Sequence, residues 1–242
     1  MIDALFIGAH PDDVEISAGG TILKLVSMGY KVAVIDMSLG EMGTRGTREV
    51  RAAEARAAAA AMQLTIRETL SLPDARISCD DTSRTLMVRA LRKLRPKVVF
   101  THFWDDPHPD HAATARIVRE SAHLAGLYKY ALEDGQTRHR PLAIAHFLFP
   151  RTVVPSFLVD ISDFAEKKLE VMLLHKSQFY DPNSSEPASA ISQKQFIDHV
   201  IARQRYFGSL INVGHAEAFY VREALNVDDP VALLSRSMSY YS

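Results

Sequence analysis

The sequence predicts an α/β domain: a Rossmann-like, mainly parallel sheet flanked by helices, with a helical C-terminal portion. Three observations carry that expectation. Over roughly the first 160 residues, short β-like runs alternate with helical patterns, as in parallel strands joined by crossover helices. Runs such as Val98-Val99-Phe100 are continuously apolar, which suits strands covered on both faces. Two polar clusters, His10-Pro11-Asp12-Asp13 and His108-Pro109-Asp110-His111, each follow a predicted strand.

Residues 3–9 read as the first strand. Gly19-Gly20 opens a helix that starts near Thr21, carries Ile22, Leu23, Leu25 and Val26, and ends near Gly29. Residues 31–37 form a second buried strand, and 38–47, with Gly40, Gly43 and Gly46, a loop. The Ala-rich stretch 48–62 strongly favours helix, and Arg48, Arg51 and Glu54 share one face. A weaker strand is expected at 66–72. An amphipathic helix follows at 82–94, stopped before Pro96, and then a fourth strand at 97–101. Residues 109–125 form a helix, 134–141 a loop, and 143–149 and 156–161 two more β-like runs. Beyond these, Ser162 caps a helix reaching about 176, 181–191 form a mobile loop, and Ser192 with Gln195 makes a capping box before a helix over 193–208. The whole reads as one domain, with a core over about 1–160 and a helical part over about 161–242.

In the strand order 3-2-1-4-5-6 the first and fourth strands are neighbours at the switch point, where ligands bind beyond the carboxyl ends. Both polar clusters fall there.

The 242 residues suffice to bury a substantial core, and 47% apolar with 24% charged residues is ordinary for a globular chain. A formal charge of −1 argues against holding nucleic acid or anionic lipid by bulk electrostatics. The one cysteine, Cys79, excludes an intrachain disulfide and a Cys-based zinc site, and suits a reducing compartment. Met1-Ile2-Asp3 lacks the cationic start of a signal peptide, and no stretch approaches the roughly 18 uncharged apolar residues of a membrane span. A cytoplasmic protein with a small-molecule substrate is expected.

The clusters suit a catalytic metal. Such an ion takes three ligands from His, Asp and Glu and keeps one position open. His10 and Asp13 can supply two ligands from one turn and His111 a third from the next helix. The side chains of Asp12 and Asp13 diverge, so Asp12 can act as general base on a water at the open position. His108, three residues before His111, can face a substrate carbonyl, with Asp110 orienting it or keeping it protonated, and so stabilise an oxyanion. Two His and one Asp also suit Fe(II), Co(II) or Mn(II). His102 reads as a hydrogen-bonded structural histidine, and His123, His139, His146, His175 and His199 as structural or surface residues.

Ala9-His10-Pro11-Asp12-Asp13 together with His108-Pro109-Asp110-His111 resembles the PIG-L/LmbE-like zinc-dependent de-N-acetylases. The resemblance implies zinc on His10, Asp13 and His111, Asp12 as general base, and His108 supported by Asp110. It also implies a homo-oligomer. Three further stretches, 40–47, 175–179 and 214–219, look like the bacillithiol-pathway branch that deacetylates N-acetylglucosaminyl malate. By that pattern Arg51 contacts substrate, and Ser17, Glu41 and His215 join it on the substrate side. His215 stands where many relatives carry tyrosine.

Deacetylation of a chitooligosaccharide is an alternative of the same kind. A nucleotide-binding Rossmann module is an alternative of another kind, but Gly8 and Gly19-Gly20 are misspaced for a dinucleotide loop and carboxylates occupy the turn. A noncatalytic zinc- or carbohydrate-binding protein would keep the ligands without needing Asp12.

Overall fold

The first strand, β1 (Ala4–Gly8), is apolar on both faces because both faces are covered. Leu5 and Ile7 point into one core layer, and Ala4 and Phe6 into another. The computed structural model describes residues 1–130, 135–147, 150 and 152–235.

The chain continues through α1 (Asp13–Ser27), β2 (Val32–Asp36), α2 (Arg48–Ala61), β3 (Ile66–Thr69), α3 (Asp81–Leu94), β4 (Val98–His102) and α4 (Pro109–Ala125). It then forms β5 (Ala143–Phe147), β6 (Phe157–Asp160), α5 (Ala165–Met172), α6 (Phe196–Ser209), β7 (Ala216–Val221) and α7 (Pro230–Leu234). The sheet order is β3-β2-β1-β4-β5-β7-β6, with β1 to β5 parallel and β7 antiparallel to both neighbours. The expected adjacency of the first and fourth strands is present, in the register Ala4 to Val98.

Helices α3 and α4 cover one face, through Met87, Leu91, Ile117 and Val118. Helices α1, α2 and α5 cover the other, through Val14, Ala18, Ile22, Ala58 and Val171. Phe6 and Phe100 stack at 4.4 Å across β1 and β4, so the two strands that carry the polar clusters share an aromatic pair beneath them.

Several boundaries differ from the sequence reading. Helix α1 begins at Asp13 and contains Gly19-Gly20 in its middle. The glycines serve close approach rather than a loop: a Cβ on Gly20 would lie 2.7 Å from Ile161 Cδ1. At the same place Glu217 accepts hydrogen bonds from the amides of Gly20 at 2.9 Å and Thr21 at 2.7 Å.

The part beyond residue 160 is not purely helical, because β7 inserts between β5 and β6. Ser162 lies in a 3₁₀ turn, Ser162–Phe164, and the helix that follows ends at Met172. The expected capping box is absent: α6 starts at Phe196, and the Ser192 hydroxyl donates to the Ser189 carbonyl instead. Strand three ends at Thr69, and of the run 143–149 the last two residues lie outside the described ones.

Candidate metal centre

Every parallel strand ends at one edge of the sheet, and the loops after β1, β3 and β4 bring their carboxylates and imidazoles together there. The turn after β1 is tight. Asp12 has φ 110°, an unfavourable conformation for a non-glycine residue that the surrounding contacts must hold. This geometry separates the carboxylates of Asp12 and Asp13.

Asp13 is the hub. Its Oδ2 accepts from the His10 amide at 2.8 Å and lies 3.4 Å from His10 Nδ1 and 3.1 Å from His102 Nε2. Its Oδ1 lies 3.3 Å from His111 Nε2. Burial would raise its pKa, but the charges of His111 and His102 and the bonds from His10 hold it well below the carboxylate range. Potential ligand atoms converge within 4.8 Å in three sets: His10, His108 and His111; Asp13, His102 and His111; and His10, Asp74 and Asp110. The expected trio of His10, Asp13 and His111 thus spans the first two sets. Imidazoles with one buried carboxylate form a donor set that fits a divalent transition ion.

The third set has another character. His10 Nε2 lies 3.0 Å from Asp74 Oδ1 and 3.2 Å from Asp110 Oδ2. Ionised carboxylates only accept, so this nitrogen carries a proton, while Nδ1 faces Asp13. Both carboxylates are anchored by backbone donors: Asp74 by Met42 and Ala75, and Asp110 by Ala75 and Ile77. Burial opposes charge on His10, and Asp13 and Asp74 outweigh it, lifting its pKa to about 11. For His111, burial is outweighed by Asp13 and Asp106, which lift it to about 9.

This corrects the role expected for Asp110. Its carboxylate turns to His10 and the 75–77 backbone, while its amide donates to His108 Nδ1 at 3.2 Å. Neutral His108 therefore carries its proton on Nε2. Burial, with the charges of His111 and His10, lowers its pKa, so it is not held as the imidazolium expected from the sequence. His108 is exposed at the mouth of the cluster.

Asp12 is buried, and burial raises its pKa to about 6 against the opposing charge of Arg51. Arg51, expected on the substrate side, is turned inward. It is 4% exposed and donates to the Gly40 carbonyl at 2.6 Å, the Pro11 carbonyl at 2.8 Å and Asp12 Oδ2 at 3.3 Å. Gly40, at φ +68°, has its missing Cβ position filled by the Arg51 guanidinium, so only glycine fits.

The other expected substrate residues also have structural partners. The Ser17 hydroxyl donates to the Asp13 carbonyl at 2.6 Å, and Glu41 accepts from the Asp74 amide at 3.0 Å. His215 lies just before β7, whose first residue pairs with Asp160 at the end of β6, so it shares the sheet edge of the site. Stretches 40–47 and 175–179 interlock: Arg45 donates to the Phe179 carbonyl at 2.9 Å, and Gln178 to the Arg45 carbonyl at 2.8 Å.

Sequence reasoning missed Asp74 and Asp106 and undervalued His102. Pro73-Asp74 follows the third strand at the same edge, and Asp105-Asp106 directly precede the second cluster; both placements are signals. Asp106 accepts from the His108 amide at 2.8 Å and faces His111 Nδ1 at 3.2 Å. His102 is fully buried and stacks on His111 at 3.9 Å, which fixes that ring's plane.

A family model described as GlcNAc-PI de-N-acetylase, PIG-L, matches residues 5–122. The chain is 32% identical over 188 residues to diacetylchitobiose deacetylase of Thermococcus kodakarensis, a match covering 72% of this chain and 69% of that one. This chain belongs to the PIG-L family. A probable N-acetyl-alpha-D-glucosaminyl L-malate deacetylase 2 of Bacillus anthracis is 25% identical, over 72% of this chain and 80% of that one. The chain spans about half the length of some relatives, including 48% of a 1D-myo-inositol 2-acetamido-2-deoxy-alpha-D-glucopyranoside deacetylase of Streptomyces scabiei. Among solved structures, a conserved protein of Thermus thermophilus superposes with a TM-score of 0.84 at 33% identity, covering 94% of this chain and 98% of that one. No described helix of this PIG-L member is long and apolar enough to cross a membrane.

Proposed function

We propose that this PIG-L protein is a metal-dependent hydrolase that removes the N-acetyl group from a small GlcNAc conjugate. The observation that carries the reading is the meeting of His10, Asp13 and His111 from two adjacent strand ends, with buried Asp12 beside them. His10, Asp13 and His111 would hold the ion, zinc by family and by hydrolytic chemistry. When bound, it supplies a Lewis acid that polarises the acetamide carbonyl.

The remaining work falls to the chain. Asp12, with a pKa lifted to about 6, is ionised at neutral pH yet basic enough to take a proton from the attacking water. As the carbonyl becomes tetrahedral, the Nε2–H of His108 donates to the developing oxyanion. The C–N bond then breaks, and the amine leaves with the proton that Asp12 collected. Acetate and free amine are the products.

Two aglycones compete. N-acetylglucosaminyl malate needs a cation for its carboxylates, and Arg51, the residue expected to supply one, is buried against Gly40 and Pro11. That burial and the 32% identity to a chitobiose deacetylase favour an uncharged glycoside such as diacetylchitobiose. Acetate release from both compounds by the zinc-loaded protein is the test. Faster turnover of diacetylchitobiose is expected; no acetate from any GlcNAc conjugate would end the proposal.

A further inference from the structure

A cleft of about 1370 Å³ lies between α4 and residues 140–144, ample for a small organic molecule. None of His10, Asp13 and His111 lines it, so it is distinct from the metal centre. Much of its wall is apolar: Ala112, Ala115 and Ala122 of α4, with Leu142 and Ile144. Trp104, the chain's one tryptophan, also lines it.

Set in that wall is a buried histidine with one nitrogen to spare. His146 is 4% exposed, and its Nδ1 lies 2.7 Å from the His102 carbonyl. A carbonyl only accepts, so Nδ1 holds the proton. Burial draws the ring's pKa below the usual imidazole value, so the ring is neutral and Nε2 is a bare acceptor. No described residue donates to Nε2. Two opposite charges border it: Glu223 and Arg119 both line the cleft, and both act on the His146 ring, as does Arg222. The other cleft acid, Glu120, is taken up by Arg84 at 2.7 Å and Arg116 at 2.8 Å. Arg119 and Glu223 form no ion pair or hydrogen bond among the described residues.

An unpaired cation, an unpaired anion and a buried acceptor beside an apolar wall match one kind of small molecule. We propose that this cleft binds an apolar α-amino acid as its zwitterion. The ammonium donates to His146 Nε2 and meets Glu223, the carboxylate accepts from Arg119, and the side chain lies against the alanines, Leu142 and Ile144. A ligand with only one of the two charges leaves a wall group desolvated and unmatched, which penalises it. The site adjoins the metal centre without belonging to it: His146 holds the His102 carbonyl, and the His102 ring stacks on His111.

Titrating L-phenylalanine into the zinc-loaded full chain tests this, with Trp104 emission and calorimetric heat read on the same samples. A saturable change in emission is expected. Two probes of the same body, 3-phenylpropionate without the ammonium and 2-phenylethylamine without the carboxylate, should each bind at least about tenfold more weakly. Arg119→Gln should weaken phenylalanine about tenfold and leave 2-phenylethylamine unchanged. Glu223→Gln should do the reverse, weakening phenylalanine and leaving 3-phenylpropionate unchanged. Because the three ligands are compared within each variant, a general loss of folding is told apart from a lost contact. Stripping the zinc should leave binding in place. Absence of saturable binding, equal binding of the three probes, indifference to both variants, or loss of binding with the zinc would overturn the proposal.

Discussion

Arg51 donates to Asp12 Oδ2 across 3.3 Å, and both side chains are buried. The same guanidinium ties down the Pro11 and Gly40 carbonyls, so one residue of α2 fixes both the strained turn after β1 and the loop after β2. Arg51→Lys keeps the charge and loses the fork. Its kcat should fall roughly 10- to 100-fold, as for a misplaced catalytic group, with KM within about twofold. A raised KM at constant kcat would return Arg51 to substrate contact.

Asp74 reaches His10 from a loop that carries no motif, and it is held at a pKa of about 2: burial would raise it, but His10 and the Met42 amide outweigh that. A carboxylate behind a ligating histidine fixes the ring and its tautomer, and losing such a group costs about 10- to 100-fold in metal affinity. Asp74→Asn should show that loss in chelator competition. Unchanged affinity would mean that Asp110 alone suffices.

Lys168 and Glu217 form a buried pair at 2.7 Å that joins α5 to β7 and, through the Gly20 and Thr21 amides, to α1. Removing one partner strands a buried charge. Lys168→Met should cost about 3–5 kcal/mol, and the melting temperature should fall by roughly 10 °C. Adding Glu217→Gln should recover part of it, which calorimetry would show.

Cys79 offers a pH test away from the centre. Burial, then its bond to Glu120, pushes the thiol up to about 11. Because the thiolate is the reactive form and the shift is upward, alkylation should be slow at neutral pH and should accelerate as pH rises towards 11. At pH 8 the rate should be about 100-fold below that of an unhindered thiol of pKa 9.0. A rate equal to that of the free thiol would contradict the contact of Cys79 with Glu120.

Much of this was legible from residue pattern. The alternation of strands and helices, read in the order 3-2-1-4-5-6, placed β1 and β4 side by side, and with them both histidine clusters. What escaped depended on partners distant in sequence. Gly19-Gly20 looks like a helix start because the residue that fills the gap, Ile161, is about 140 positions away. The stretch 214–219 stands out by resemblance and not as a strand, because the partner of its buried Glu217, Lys168, is 49 positions away. Asp110 sits in a motif that suggests service to His108, yet the loop at 74–77 offers it two amides and turns it to His10. Arg51 lies on a helix face that reads as exposed until the 40–46 loop closes over it.

In the proposed mechanism Asp12 does chemistry while its neighbour Asp13 holds the ion, and Asp12→Asn separates the two roles most directly. Metal content and acetate release are measured on the same preparation. Metal bound as in the wild type is expected, with turnover lowered by about 10²- to 10⁴-fold, the usual worth of a general base. Turnover near the wild-type level with metal bound would contradict it.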